Sequence, residues 1–148
     1  MKNYVLKKWY KNKDHRTFKY PNDVDKELIP MLDVFNNIPG VRTIYSCCGH
    51  GFTEWYMEFK TTSDFMYKTI CDYFTKLGNE SNLFSNVNFR VETCDYVQWG
   101  IVPEKRITVY SSKLGKLNSS KRKDEYRKIC EFFSKFTPDA QWKNIQEF

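Results

Sequence analysis

Hydrophobic residues recur along this chain with two periods, and each period predicts a type of element. Between residues 23 and 37 the apolar side chains follow helical spacing, at Leu28, Met31, Leu32 and Phe35. Asp23 or Asp25 is placed to cap this helix, and Pro30 predicts a kink or a later start. Pro39 and Gly40 follow its end.

Alternating apolar and polar residues predict the strands. Val41 to Tyr45 should place Val41, Thr43 and Tyr45 on one face, with Arg42 and Ile44 on the other. Glu54 to Lys60 should turn Trp55, Met57 and Phe59 to one face, and we expect these two strands to pair as a hairpin. Three later stretches are predicted as strands, the second of them weakened by Gly100: 86–93, 97–102 and 106–111.

Two more helices and one flexible segment complete the prediction. Residues 62–77 form a helix capped by Thr62, Ser63 or Asp64, with an apolar face at Phe65, Ile70, Tyr73, Phe74 and Leu77. Residues 119–136 form another, with its stripe at Tyr126, Ile129, Cys130, Phe133 and Phe136. The serine-rich residues 111–120 between strand and helix are predicted to be a flexible linker.

This order predicts an α+β fold, a mostly antiparallel sheet with helices packed on one face. At 148 residues the chain is expected to be a single domain, 1–148. Residues 1–22 are a basic, aromatic N-terminal arm, and residues 137–148 are a C-terminal tail. The apolar side chains of that tail, Trp142, Ile145 and Phe148, favour a homodimer.

Net charge and aromatic content indicate which class of partner the protein binds. The net charge is +6 with a pI of about 9.0, which favours anionic partners such as nucleotides or RNA. Aromatic residues make up 18% of the chain, more than one core of this size needs, so some are expected to line a pocket or an interface.

The cysteines point to a reducing compartment. There are five, two of them adjacent, and no Cys-x-x-Cys pair, which disfavours both a disulfide framework and a finger-type zinc site. No apolar run has the length of a signal peptide or a membrane span, so we expect a cytoplasmic protein with no membrane partner. Cys71, Cys94 and Cys130 are assigned to the core.

The richest chemistry lies between Ser46 and Gly51, where a hydroxyl, two thiols, an imidazole and two glycines follow a strand. Backbone N–H groups of a glycine-rich turn, with Ser46 and His50 as donors, suit an anion. Strand arginines would add charge, and Tyr56, Tyr110 or Trp99 would stack on a base. The predicted ligand-binding residues are Arg42, Thr43, Ser46, Cys47, Cys48, Gly49, His50, Arg90, Trp99, Arg106 and Tyr110.

Three other interpretations of this loop stay open. Cys47 or Cys48 with His50 would make a nucleophile, although near neighbours on a tight turn rarely face each other. Cys47, Cys48 and His50 would supply metal ligands together with His15 or Cys94, although adjacent cysteines rarely reach one metal. The loop is otherwise structural, with buried thiols and glycines at positive φ. No catalytic residue, metal or cofactor is assigned.

Two basic stretches favour RNA as an alternative partner. The N-terminal arm interleaves lysines with aromatic rings, which is typical of nucleic-acid-binding arms, although a packed arm is the simpler interpretation. The second stretch lies at a helix N-terminus, where positive charge opposes the helix dipole. Its residues are Lys113, Lys116, Lys121, Arg122, Lys123, Arg127 and Lys128.

The motif Ser46-Cys47-Cys48-Gly49-His50 resembles the Ser-Cys-Ser-Gly-Arg signature of the tRNA wybutosine-synthesising methyltransferase family. Cys48 and His50 replace the family's serine and arginine. The resemblance implies an α+β fold and S-adenosylmethionine-dependent methylation of tRNA. The chain is also similar to small phage proteins with a Ser-Cys-x-Gly-His core, some of which sequester nucleotide immune signals.

The leading prediction is non-catalytic binding of a small nucleotide-like anion, in the manner of a phage anti-defence protein that withholds a nucleotide signal. Whether any reaction is catalysed stays open, with binding favoured. The alternatives are an S-adenosylmethionine-dependent tRNA-modifying methyltransferase and an RNA-binding module.

Overall fold

The computed structural model describes residues 18–79, 89–96 and 104–136. A 3-10 turn, Lys26–Leu28, leads into helix α1, Ile29–Asn36. The remaining elements are β1 (Val41–Cys47), β2 (Trp55–Thr61), α2 (Asp64–Asn79), β3 (Arg90–Tyr96), β4 (Glu104–Ser111), α3 (Ser112–Lys116), α4 (Ser119–Phe133) and a final 3-10 turn (Ser134–Phe136). Apart from the unpredicted helix α3, the order of helices and strands in the described residues is as predicted.

The four strands form one antiparallel sheet in the order β1-β2-β4-β3. β1 and β2 are a hairpin, as predicted, and β3 and β4 pair antiparallel beside it. The helices cover one face of this sheet, which we call the inner face, and the α+β prediction is confirmed. The opposite face is called the outer face below.

The alternation of β2 is confirmed residue by residue. Trp55, Met57 and Phe59 are fully buried against the helices, and they pair with Ser111, Val109 and Ile107 of β4. Aromatic rings join the sheet to the helices, since the ring of Phe35 lies 4.7 Å from that of Phe59 and 4.7 Å from that of Phe133. This aromatic core holds the sheet rigidly against α1 and α4.

Helix α1 starts later than the first charged residues because Pro30 occupies its first turn, where a missing N–H is harmless. Asp25 precedes the 3-10 turn, but its side chain makes no capping hydrogen bond, so the predicted cap is wrong. Its carboxylate instead accepts a hydrogen bond from the backbone N–H of Cys48, 23 residues away, at 2.9 Å.

The other helices follow the pattern with one correction. Ser63 caps α2 by accepting from the N–H of Met66, as predicted for this turn. Phe65, placed on the buried face by its spacing, is 56% exposed, and the neighbouring Met66 is buried instead. The predicted stripe of α4 is confirmed from Tyr126 to Phe133, with Phe136 packed at its margin.

The prediction of a flexible linker at residues 111–120 is wrong. Ser111 ends β4 and caps α3, because its hydroxyl accepts from the N–H of Leu114 at 3.1 Å. Leu114 and Gly115 are buried, and Asn118 caps α4. The serine and lysine content hides this short helix, whose apolar content is concentrated in Leu114.

The predicted alternation of β1 fails at a β-bulge. Thr43 pairs with Phe59 and Tyr45 with the adjacent Glu58, so Ile44 is an extra residue in the ladder. The bulge moves Tyr45, predicted to share a face with Val41 and Thr43, to the outer face, where it is 63% exposed.

Several predictions lie outside the described residues: the arm up to residue 17, the strand at 97–102 with Trp99, the start of the strand predicted at 86–93, and the apolar tail. Within residues 18–22, Tyr20 packs against the core and donates a hydrogen bond to Asp33 at 2.7 Å. Every helix in the described part of the chain is too short or too polar to cross a bilayer.

Candidate functional site

The loop from Ser46 to Gly51, which we call the cysteine loop, closes through three consecutive left-handed residues. Gly49, His50 and Gly51 have φ angles of 80°, 54° and 92°. The carbonyl of Gly49 accepts from the backbone N–H groups of Phe52 and Thr53, at 3.0 and 2.8 Å. His50 is the one described residue other than glycine with positive φ, so the turn holds its imidazole in a strained and defined position.

The cysteine loop is docked backbone to backbone on helix α3. The N–H of Gly51 donates to the carbonyl of Gly115 at 2.9 Å. A Cβ on Gly49 would meet the backbone of Gly115 and Thr53, and a Cβ on Gly115 would lie 2.6 Å from the backbone nitrogen of Trp55. Both glycines are therefore required by close approach. The positive φ of Gly49 and Gly51 is what the structural interpretation of the loop predicts.

Side chains from distant parts of the chain converge beneath this turn. The Sγ of Cys48 lies 3.5 Å from Nδ1 of His50, and Nε2 of His50 lies 3.4 Å from a carboxylate oxygen of Asp25. Cys48 is 2% exposed, and burial raises the pKa of its thiol to about 12, helped by the charges of Glu27 and Asp25. Cys48 is therefore a protonated thiol without access to a substrate, which argues against Cys48 as the nucleophile.

Three side chains beneath the same turn are of the kinds that bind metal ions. One ligand atom from each of Asp25, Cys47 and His50 lies within 4.8 Å of the others. The backbone N–H of Gly49 points to the Sγ of Cys47 at 3.4 Å. These residues supply oxygen, sulfur and nitrogen donors from the segment before α1 and from the cysteine loop.

A buried ion pair anchors the segment that carries Asp25. The carboxylate of Glu27 accepts from Nε and Nη2 of Arg122, at 2.9 and 2.7 Å, and from the hydroxyl of Tyr126 at 2.9 Å. Arg122 also donates to the carbonyl of Leu117. Burial alone would raise the pKa of Glu27. The hydrogen bonds from Arg122 and Tyr126 and the charge of Arg122 lower the pKa by more, so it lies below its ordinary value. Arg122, predicted within a ligand-binding basic run, is therefore part of the scaffold.

The outer face of the sheet carries a different set of groups. Arg42 of β1 lies opposite Lys60 of β2 in the ladder, and Lys60 lies opposite Arg106 of β4. Three cationic residues therefore form one row across the three strands. We call these three residues the cationic row. Neighbouring strands lie about 4.8 Å apart, which brings the three cations within reach of one polyanionic group.

A cavity of about 350 Å³ lies beside this row on the same face, and we call it the tyrosine depression. It is lined by Tyr45, Tyr56, Glu58, Thr108 and Tyr110. The rings of Tyr56 and Tyr110 are 6.3 Å apart, and the guanidinium of Arg90 lies 4.5 Å above the ring of Tyr110. Aromatic walls around a polar floor suit a flat heterocycle.

A second cavity of about 280 Å³ lies along the edge of β1. Arg42, Thr43 and Ser46, all predicted to bind ligand, line it together with Tyr45, which borders both cavities. The remaining lining residues belong mainly to the segment before α1: Phe18, Lys19, Tyr20, Pro21, Val24, Leu32, Asn36 and Ile44.

Comparison with protein-family models, with curated proteins and with solved structures finds no match to this chain. The chemistry of the chain's own residues therefore indicates what it can bind.

The predicted ligand-binding residues lie in more than one region of the structure. Cys47, Cys48, Gly49 and His50 belong to the loop, whereas Arg106 and Tyr110 belong to the outer face. Arg90, on the edge strand β3, also lies on the outer face, where it covers the ring of Tyr110 and forms ion pairs with Glu54 and Glu92, each at 3.6 Å. Cys94 is exposed on β3, the opposite edge from Cys47, so its assignments to the core and to a shared metal site are both wrong.

Several residues of the cysteine loop's surroundings and of the outer face were not predicted from the sequence. Asp25 was interpreted as a helix cap, and nothing local indicates its contact with Cys48. Tyr45, Glu58 and Lys60 were not chosen, although the alternation of β2 already places Glu58 and Lys60 on the polar face. The missing information was the strand order, which sets β2 between β1 and β4.

Proposed function

We propose that this protein binds a small nucleotide-like anion on the outer face of its sheet and does not convert it. The observation that carries the proposal is the tyrosine depression lying in register beside the cationic row. A volume of about 350 Å³ falls within the range of small-ligand pockets and suits one nucleoside better than a long polymer.

The base of the ligand would lie in the tyrosine depression. Tyr45, Tyr56 and Tyr110 offer ring faces for stacking, and the half-buried Glu58 lies among them as a hydrogen-bond acceptor. A carboxylate accepts from ring N–H and exocyclic amino groups, which favours bases that present donors at their pairing edge.

The phosphate would lie on the cationic row. Lys60 and Glu58 are two residues apart on β2, so the row lies about 7 Å along the strand from the floor of the depression. That separation places negative charge near Arg42, Lys60 and Arg106 and away from Glu58, while the base stays on the tyrosines.

The state of Cys48, the thiol that faces His50, supports binding without turnover. Cys48 is buried and its pKa is raised to about 12, so the Cys48–His50–Asp25 arrangement lacks an accessible thiolate. Sequestration of a nucleotide signal, which the resemblance to phage proteins implies, needs only tight binding and the release of an unchanged ligand.

An RNA-binding module is the second candidate, because exposed tyrosines and a row of cations on an open strand surface are also typical of single-strand recognition. The two candidates differ in salt dependence. Each additional phosphate contact steepens the loss of affinity with salt, so RNA binding should be steep and mononucleotide binding shallow.

The test is calorimetric titration with nucleoside phosphates, cyclic nucleotides, ADP-ribose, S-adenosylmethionine and short single-stranded RNA at two salt concentrations. We expect one nucleotide class to bind and to be recovered unchanged after denaturation. Tyr56→Ala should weaken binding about tenfold or more, because base stacking contributes about 1–3 kcal/mol.

Lys60→Ala should weaken phosphate-bearing ligands in particular. Lys68→Ala, at an exposed position of α2 outside both basic stretches, is the matched control and should change nothing. Binding that survives both Tyr56→Ala and Lys60→Ala would reject the outer face as the site. A ligand recovered in altered form would reject binding without turnover, and transfer of a methyl group from S-adenosylmethionine to tRNA would establish the methyltransferase alternative.

A further inference from the structure

We propose that Asp25, Cys47 and His50 form a binding site for a transition-metal ion of the zinc type. Their three ligand atoms lie within 4.8 Å of one another, although Asp25 is more than twenty residues from the other two along the chain. Its ligands are none of the residues proposed to hold the nucleotide, although Cys47 pairs with Tyr56 of the outer face, and metal binding can be tested without any nucleotide.

The donor set points to the kind of metal. One thiolate, one imidazole and one carboxylate are borderline-soft ligands that suit Zn²⁺, whereas Mg²⁺ and Ca²⁺ prefer oxygen alone. Three protein ligands leave a fourth tetrahedral position for water or a bound anion. Cys48 is not needed as a ligand, which removes the objection that adjacent cysteines rarely reach one metal.

The distances fit this coordination with small side-chain adjustments. Two ligand atoms that each lie about 2.1 Å from a tetrahedral ion are about 3.4 Å apart. Nε2 of His50 and the facing oxygen of Asp25 are 3.4 Å apart. A thiolate forms a longer bond of about 2.3 Å, which sets its ideal separation from the other two ligand atoms at about 3.6 Å. The Sγ of Cys47 lies within 4.8 Å of both, so a rotation of its side chain is the adjustment required.

The surrounding contacts orient each ligand. The second carboxylate oxygen of Asp25 accepts from the N–H of Cys48 at 2.9 Å, which leaves its first oxygen toward His50. Nδ1 of His50 faces the Sγ of Cys48 at 3.5 Å, so Nε2 is the nitrogen available for the metal. The N–H of Gly49 lies 3.4 Å from the Sγ of Cys47. Such hydrogen bonds to ligand atoms are the usual outer shell of a zinc site.

The backbone supports the same geometry. His50 lies in the left-handed region between two glycines, and the turn is locked because Gly49 and Gly51 contact Gly115. The segment carrying Asp25 is locked separately, through Glu27 and Arg122. Two rigid pieces therefore hold the ligands in place before any metal binds, which favours affinity.

The experiment is a titration of the metal-free, reduced full-length protein with Co²⁺, followed by competition with Zn²⁺. We expect one tightly bound Co²⁺ per chain with a sulfur-to-cobalt charge-transfer band, displaced by Zn²⁺. Cys47→Ser should abolish the band, and His50→Ala or Asp25→Asn should weaken Co²⁺ binding at least tenfold. Cys94→Ser, at the opposite edge of the sheet, is the matched control and should keep the band.

A readout on the unaltered protein keeps the proposal testable if a variant fails to fold. Zn²⁺ should slow alkylation of Cys47, mapped by peptide mass spectrometry, and leave alkylation of the exposed Cys94 unchanged. The proposal is overturned if Co²⁺ gives no sulfur band, if the band persists in Cys47→Ser, or if Zn²⁺ does not protect Cys47.

Discussion

The cysteine loop and the outer face of the sheet meet at Cys47 and Tyr56, which are paired in the ladder, yet they are built in opposite ways. The loop is fixed by backbone contacts at Gly49 and Gly115 that leave no space for a methyl group. Buried polar groups such as Arg122 fix the segment beside it. The outer face consists of side chains that project from strands that pair regularly except at the bulge of Ile44. The loop therefore tolerates little substitution, whereas side chains of the outer face can change with little effect on the fold.

The comparison also separates two kinds of polar residue. Glu27 and Arg122 are buried and hydrogen-bonded, so each depends on the other to offset the cost of its own desolvation. Glu92 and Arg90 form an ion pair of similar chemistry at the surface, where water screens it. The same residue types thus act as scaffold in one region and as solvated surface in the other.

The largest effect is expected from Gly115→Ala. The added methyl group would meet the backbone of Thr53 and Trp55, so β2 and α3 must separate to admit it. We expect a loss of more than about 4 kcal/mol in the free energy of unfolding, enough to unfold a marginally stable domain. Denaturant unfolding followed by circular dichroism measures it.

Gly51→Ala is the matched control for that substitution. Among the described residues, its Cβ meets only the carbonyl of Leu117, at 3.9 Å, so the expected cost is that of the left-handed backbone, about 1–2 kcal/mol. Equal losses in the two variants would show that the close approach of the loop to α3 is not what holds it.

Glu27→Gln should cost about 3 kcal/mol at neutral pH, because it leaves the buried guanidinium of Arg122 without its counter-charge. The folded protein holds the pKa of Glu27 below its ordinary value of 4.5. The ionised carboxylate therefore stabilises the fold fully above pH 4.5, and this contribution is lost as the pH falls through the lower folded pKa.

The measurement is the free energy of unfolding of both proteins against pH. The difference between them should be constant near neutrality and shrink in acid. Glu92→Gln is the control, with an expected change within about 0.5 kcal/mol. A gap between the unaltered protein and Glu27→Gln that widens in acid would contradict the assignment of the ion pair.

The smallest effect on stability is expected from Tyr45→Ser on the outer face. Its side chain is 63% exposed, so the free energy of unfolding should change by no more than about 0.5 kcal/mol. Nucleotide binding, measured by calorimetry, should nevertheless weaken several-fold because one wall of the tyrosine depression is removed. A large loss of stability would remove the contrast between the two regions.

Local patterns predict those elements whose period and burial agree. The alternation of β2 and the stripe of α4 are both confirmed, because each element presents one face to one core. Ser63 was among the predicted caps of α2 because capping depends on near neighbours. Information of this kind lies within a few residues of the element it describes.

The candidate site was predicted only in its parts because its contacts are long-range. Asp25 reaches Cys48 across the β1 edge, and Gly115 fits Gly49 more than sixty residues away along the chain. The 111–120 segment was misinterpreted for the same reason, since its composition resembles a linker while Leu114 and Gly115 pack inside. Arginines on strands could be identified, but their grouping into a row depends on strand order.

The bulge at Ile44 decides which of the following side chains of β1 face the helices and which face outward. Before it, odd-numbered positions such as Thr43 face the helices, and after it the even-numbered Ser46 pairs with Met57 of the buried face. Without the bulge, a strand of the same length would turn Tyr45 and Cys47 to the helices and Ser46 to the outer face. Deletion of Ile44 would instead remove the extra residue, keep the pairing of Tyr45, Ser46 and Cys47 with β2, and so preserve both faces.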